Sequence, residues 1–369
     1  MARPSGFRAA LRRLTRFLAP APLLLPLALG ALLATAEARA QRFDPKCIGG
    51  VLNLYVENDL FFQTDRNYTS GVKLAWVSPD LDSYERDACL PDWVKPLNER
   101  VRNMFGFSSV GAHERNMVIT LGQEIYTPGE RTRTDVILND RPYAGWLYLG
   151  LGYNERRRPT DSAIERLDSL EFNLGVVGPL ALARVSQNLI HDLRGFERWN
   201  GWSNQLHNEP GVQVVAERKF KGLFARSNVD AIGHYGVSLG NVATHLNAGM
   251  ELRVGTALPD DFGSSPVRPA GNNSAPGAYR REVAGRRGIH AFAALDLRAV
   301  ARNIFLDGNT FRSSHSVKKE PLVADIALGV AAFAGAWKFS FGRVIGSKEF
   351  AGQTSRHSYG SFTLSRDFD

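Results

Sequence analysis

Between two strand-like stretches, apolar residues recur at helical spacing at Leu182, Val185, Leu189 and Leu193, while Arg184, Gln187, Asn188 and His191 share the opposite face. Gly178-Pro179 supplies a start signal and Gly195 a stop. An imidazole can take a proton from water near neutral pH, so His191 has the chemistry of a general base. Gln187 lies one turn earlier on the same face and can orient the ring or the water. Two readings stand: a flap folded over a site with its imidazole on the wet face, or a surface helix whose histidine is merely solvated.

The rest of the chain must position that helix. Residues 1–40 carry an arginine-rich start, an apolar run from Leu18 to Leu33 broken by Pro20, Pro22 and Pro26, and the ending Ala38-Arg39-Ala40. This reads as a secretory signal peptide, leaving 41–369 as a single barrel domain. Without 1–40 the chain keeps 39 basic and 36 acidic residues, so the formal charge falls from +8 to +3. Overall charge therefore gives no case for nucleic-acid binding. Cys47 and Cys89, the only cysteines, are expected to pair in an oxidising compartment.

No stretch of eighteen apolar residues follows the signal, which excludes helical membrane spans. Period-two segments appear instead. Leu52, Leu54 and Val56 alternate with Asn53, Tyr55 and Glu57; Val72, Leu74 and Trp76 alternate with Gly71, Lys73 and Ala75. Similar patterns run through Leu170–Val176 and Trp337–Phe341. One face is apolar and the other carries charges, which suits a transmembrane antiparallel β-barrel of about twelve strands in an outer membrane better than a soluble sandwich. The expected strands are 49–57, 70–78, 115–126, 142–155, 168–178, 211–221, 227–240, 243–256, 288–302, 320–331, 335–345 and 357–368. With both termini periplasmic, connections 58–69, 127–141 and 179–210 share the outer rim. The inner connections include 79–114, with a helical candidate around Trp93 to Met104, and the Gly/Pro/Ser/Asn-rich 257–287.

Glu57-Asn58-Asp59, Asp65-Arg66-Asn67-Tyr68-Thr69-Ser70-Gly71, Gly122-Gln123-Glu124-Ile125-Tyr126-Thr127-Pro128 and Asp140-Arg141-Pro142-Tyr143-Ala144-Gly145-Trp146 occur in order, followed by Gly175 to Pro179, Gln187-Asn188, His191, Glu197 and Trp202. This ordered series, from about Leu52 to Pro210, resembles the outer-membrane lipid A 3'-O-deacylase family. The resemblance implies a site between the barrel wall and an extracellular helix, and calcium-dependent hydrolysis of the ester holding the 3'-linked acyloxyacyl chain of lipid A. It makes His191 the base and gives Asn58, Asp59 and Thr69 places in the site, with Glu197 at an acidic position just past the helix. Asp59 and Glu197 supply the hard oxygens that Ca2+ prefers. Lipopolysaccharide would be the substrate, outer-membrane lipids the surroundings, and the barrel a monomer.

One departure is plain. The family pattern places a lysine in the second outer loop, and 127–141 has none. Arg131 and Arg133 are the nearest cations and could grip a lipid A phosphate, but a guanidinium stays charged and cannot replace a lysine that must lose a proton. The G-x-S-x-G match Gly236-Val237-Ser238-Leu239-Gly240 falls inside an expected strand and not at the strand-to-helix turn that exposes a nucleophilic serine, consistent with attack by water. An outer-membrane phospholipase and a catalytically silent barrel, either channel or structural protein, are the rival readings.

Overall fold

The structure, a computed structural model, describes residues 49–59, 67–105, 114–158, 162–226, 228–264 and 287–368. The expected signal peptide and Cys47 lie outside these residues. Cys89 is disulfide-bonded.

Twelve antiparallel strands close into one barrel. They are β1 Gly50–Asn58, β2 Asn67–Val77, β3 Glu114–Thr127, β4 Ala144–Arg157, β5 Glu165–Val177, β6 Glu209–Arg226, β7 Val229–Gly240, β8 Ala243–Gly255, β9 Arg287–Asn303, β10 Leu322–Ala334, β11 Trp337–Gly346 and β12 Ser358–Phe368. Closure comes from β1 pairing with β12, Gly50 opposite Phe368 and Asn58 opposite Gly360. Both chain ends of the barrel therefore share one rim, the periplasmic one, and odd-numbered connections reach the other.

The alternation of the sequence becomes the alternation of two solvents. Val72, Leu74 and Trp76 stand exposed on the outer wall, whereas Lys73 and Ala75 turn into the lumen. A charge facing hydrocarbon at the bilayer midplane costs ~2–4 kcal/mol, which fixes the face that charged residues take. Inside, those charges find partners. Lys73 Nζ lies 4.5 Å over the Tyr55 ring, Arg253 pairs with Asp230 and Asp261, and Arg298 with Asp325. The lumen is thus packed with ion pairs, each cation compensated where its desolvation demands it.

Near the outer rim the lumen turns aromatic. The Tyr68 hydroxyl donates to Glu57 at 2.6 Å, and its ring packs against Tyr126 and Tyr359. A four-residue helix, Ile304–Asp307, dips into this layer from the β9–β10 connection and stacks Phe305 on Tyr126 at 3.9 Å. Asn303 caps it, its side-chain oxygen accepting from the Phe305 amide at 3.0 Å. No periodicity in the sequence marks this one-turn plug.

Two longer helices lie outside the wall. The first, α1, is Lys95–Phe105, close to the expected Trp93–Met104. The segment before it packs Leu81, Tyr84, Leu90 and Val94 onto Met117 and Tyr153, two paired residues on the lipid-facing parity of β3 and β4. The second, α2, is Ala183–Arg194, and it carries the candidate base.

Candidate active site

The β5–β6 connection starts with Gly178 at φ 104°, runs through a 3-10 turn at Pro179–Ala181, and enters α2 through Leu182 at φ 59°. A left-handed leucine is unfavourable, so neighbouring contacts must hold it. They come from the wall. Gln123 of β3 donates from Nε2 to the Ala181 carbonyl at 2.6 Å, and the Gly178 amide donates to the Gly145 carbonyl at 3.0 Å. At Gly145 a Cβ would sit 2.5 Å from that of Ala183, so only glycine lets the flap approach this closely. Ile125, Tyr143, Ala183, Trp199 and Trp202 form the apolar seam beneath it.

Which face of α2 meets the wall reverses the sequence expectation. His191 is 1% exposed and Gln187 is buried, whereas Leu182, Val185, Leu189 and Leu193 are 51–77% exposed. The imidazole is therefore not on a wet face. The reason is the solvent: α2 lies against the outer, lipid-facing side of β3 and β4, so its apolar side chains continue the apolar band while Gln187 and His191 are sealed against the protein and Arg184 stays exposed. Left in water, each such apolar side chain would forgo roughly 1.5–3 kcal/mol of burial.

Within the seam the ring is fixed. His191 Nδ1 lies 2.6 Å from the Glu197 carbonyl. A carbonyl can only accept, so Nδ1 carries the proton and the neutral ring keeps Nε2 as its acceptor. Phe196 packs edge-on at 5.9 Å. The helix ends here as well, with the Gly195 and Phe196 amides donating to the His191 carbonyl. Trp202 Nε1 donates to Gln187 Oε1 at 2.8 Å, while Gln187 Nε2 is buried with no protein partner. Burial pushes the Tyr143 hydroxyl up to about 12, so it stays neutral beside the flap.

The first hairpin supplies the other candidates. Asn58 ends β1 opposite Ser70, on the same outward parity as Leu54 and Val56. Asp59 follows it at 1% exposure. Pairing of β2 with β3 slips between Tyr68 and Ser70, leaving Thr69 as the bulged residue. Its hydroxyl lies 2.6 Å from that of Thr127. Thr127 sits two residues beyond Ile125 on the face of β3 that meets the flap. Register and bulge thus bring Thr69 to the strand on which α2 rests, with Asn58 one strand further round, opposite Ser70.

Glu197 differs. Its carboxylate is 74% exposed and pairs with Arg131 at 3.3 Å, so it meets the site through its backbone carbonyl. Arg133 pairs with Asp135 at 2.9 Å. Arg198 pairs with Asp192 at 2.7 Å, and that hydrogen bond holds the Asp192 carboxyl below its ordinary range. Arg141 pairs with Glu349. Among the described residues no three His, Cys, Asp or Glu side chains gather into a metal-holding group. The buried carboxylate of Asp59 has the hard oxygens a divalent cation prefers, whereas that of Glu197 is exposed and already engaged by an arginine.

The profile of the family described as Outer membrane protein LpxR matches residues 23–368. The chain belongs to this family. No curated protein matches the sequence. Among solved structures, LpxR from Salmonella typhimurium is 18% identical with a TM-score of 0.64, covering 86% of this chain and 99% of its own. The translocator domain of the autotransporter NalP from Neisseria meningitidis is 8% identical with a TM-score of 0.41, covering 93% and 96%. Family and fold together make the chain an outer-membrane barrel.

Proposed function

We propose that this LpxR-family barrel is a lipid A deacylase that hydrolyses the ester of the 3'-linked acyloxyacyl chain in the outer leaflet. The observation that carries the reading is the buried His191, tautomer set by the Glu197 carbonyl, held between the lipid-facing wall and a flap whose own outer face is leucine. A substrate embedded in the leaflet can reach such a seam sideways, with its acyl chains already among apolar side chains.

Water held at His191 Nε2 gives up its proton as it attacks the ester carbonyl carbon. The tetrahedral adduct then collapses, the sugar oxygen leaves, and the imidazolium returns the proton to it, giving a free hydroxyl and a fatty acid. Gln187 Nε2, buried and unpartnered, is available to donate to the water or to the carbonyl oxygen. Asn58 and Thr69 would add polar side chains from the first hairpin. Asp59 with neighbouring oxygens would hold calcium, which when bound supplies positive charge where the oxyanion develops. Glu197 orients the base through its carbonyl. Arg131 and Arg133, exposed on the next loop, meet lipid A phosphates.

Mass spectrometry of purified lipid A incubated with the protein, with and without a calcium chelator, tests this reading. Loss of one acyloxyacyl group that stops on chelation is expected. Cleavage of phosphatidylethanolamine instead would make the chain a phospholipase, and an intact lipid A spectrum in calcium would leave a silent barrel.

A further inference from the structure

On β8 the outward face is apolar down to the periplasmic end, through Met250, Leu252 and Val254. On β4, β5 and β6 it is not. Arg157, Arg166 and Arg218 all lie on the lipid-facing parity there: Arg157 is opposite Arg166, and Arg218 is opposite Asp168. An arginine facing lipid costs ~2–4 kcal/mol at the midplane and ~0–1 kcal/mol at the interface, so three together mark the headgroup level of the periplasmic leaflet. The α1 segment marks the same level. It covers Tyr153 and Phe172 next to these arginines and leaves Trp93 75% exposed, with Leu97 and Met104 beside it, as interfacial anchors do.

Next to the charged row runs an apolar one. Leu170, Ala216, Val237 and Leu246 are paired neighbours across four strands. The small Ala216 leaves a depression, and a groove of about 700 Å³ joins both rows. Asp168 accepts from Arg218 at 2.5 and 3.2 Å and faces Arg166 at 3.1 Å, so one carboxylate serves two guanidinium groups. Arg157 pairs with the buried Glu155 at 3.0 Å. Glu217 faces the lumen, 3.6 Å from Lys219. Among the outward-facing residues that line the groove, three cations therefore stand against two carboxylates, with Arg115 outside it opposite Glu155, and each guanidinium has five donors to distribute.

We propose that this groove binds one anionic glycerophospholipid of the periplasmic leaflet, its phosphate on Arg157, Arg166 and Arg218 and an acyl chain lying over Ala216 between Leu170 and Leu246. The site is on the opposite side of the membrane from the proposed chemistry and does not depend on it. The lipid would act as a strut where the α1 segment meets the wall.

Native mass spectrometry of the detergent-purified full chain, titrated with phosphatidylglycerol, phosphatidylcholine or inorganic phosphate, tests the proposal. A single saturable phosphatidylglycerol adduct is expected. Arg166→Gln, which leaves the Arg218–Asp168 pair in place, should weaken it about fivefold. Ala216→Phe should abolish the adduct with every charge retained, and a heat-shifted band in unboiled electrophoresis confirms that each variant closes its barrel. Equal, unsaturating adducts of both lipids, retention of phosphate in place of lipid, or an adduct insensitive to both variants would overturn the site.

Discussion

A ring nitrogen bound to a carbonyl has one tautomer open to it while neutral, and this leaves Nε2 as the one proton acceptor of the His191 ring. His191→Ala should lower lipid A deacylation about 10²–10⁴-fold while the heat-shifted band of the closed barrel persists. Release of acyl chains at the parent rate would remove the histidine from the mechanism. The two acidic candidates should separate in the same assay. Asp59→Asn is expected to abolish the calcium response, whereas Glu197→Ala breaks only an exposed ion pair, ordinarily about 0.2–1 kcal/mol, and should change turnover no more than a few-fold. Residue types singled out His191 and Gln187 in the sequence, and the resemblance carried by the ordered motifs added Asn58, Asp59 and Thr69. What the sequence withheld was direction: nothing local tells whether Glu197 meets the site with its carboxylate or its carbonyl, because a loop backbone decides that.

The flap shows why an amphipathic helix can be found and still be placed the wrong way round. Its 3.6-residue period is legible in Leu182, Val185, Leu189 and Leu193, but period alone does not say which face is inside; that depends on whether the surroundings are water or lipid. Strands suffered less, since period two with a charged face already implies a lumen, and their ends agree with the reading to within a few residues at most positions. The Ile304–Asp307 plug left no periodic signal, being about one turn long. Two substitutions probe the flap. Gly145→Val would drive side-chain atoms into Ala183 and should cut activity while leaving barrel closure unchanged. Leu189→Glu places a charge on the exposed leucine face. It should depress hydrolysis of lipid A in bilayer vesicles far more than hydrolysis of a short-chain ester in detergent, and equal losses in both would mean the stripe does not meet lipid.

Closing the barrel brings together residues that no sequence pattern could pair. Arg141, in the β3–β4 connection, is fully buried between the Tyr126 and Phe350 rings and joined to Glu349 in the β11–β12 connection, 208 positions away. The link ties the loop that bears Arg131 and Arg133 to a connection several strands away around the outer rim. Burial by itself would raise the Glu349 carboxyl, but Arg141, then His357 and Arg298, bring it down to about 2 against an ordinary 4.5. A depressed carboxyl contributes stability above its unfolded value and loses it as pH falls through its folded value, so this link should be intact above about 4.5 and gone by about 2. The contribution at neutral pH is at most on the order of 3 kcal/mol. Limited proteolysis of the detergent-solubilised protein with an acid-active protease should therefore show the outer loops becoming cleavable between pH 4.5 and 2 while the strands remain resistant. Glu349→Gln removes the titrating group and leaves Arg141 buried without its carboxylate. That variant should be cleaved at pH 6 as readily as the parent is near pH 2, with little further change on acidification, whereas a parent-like acid profile in the variant would assign the transition to another carboxylate.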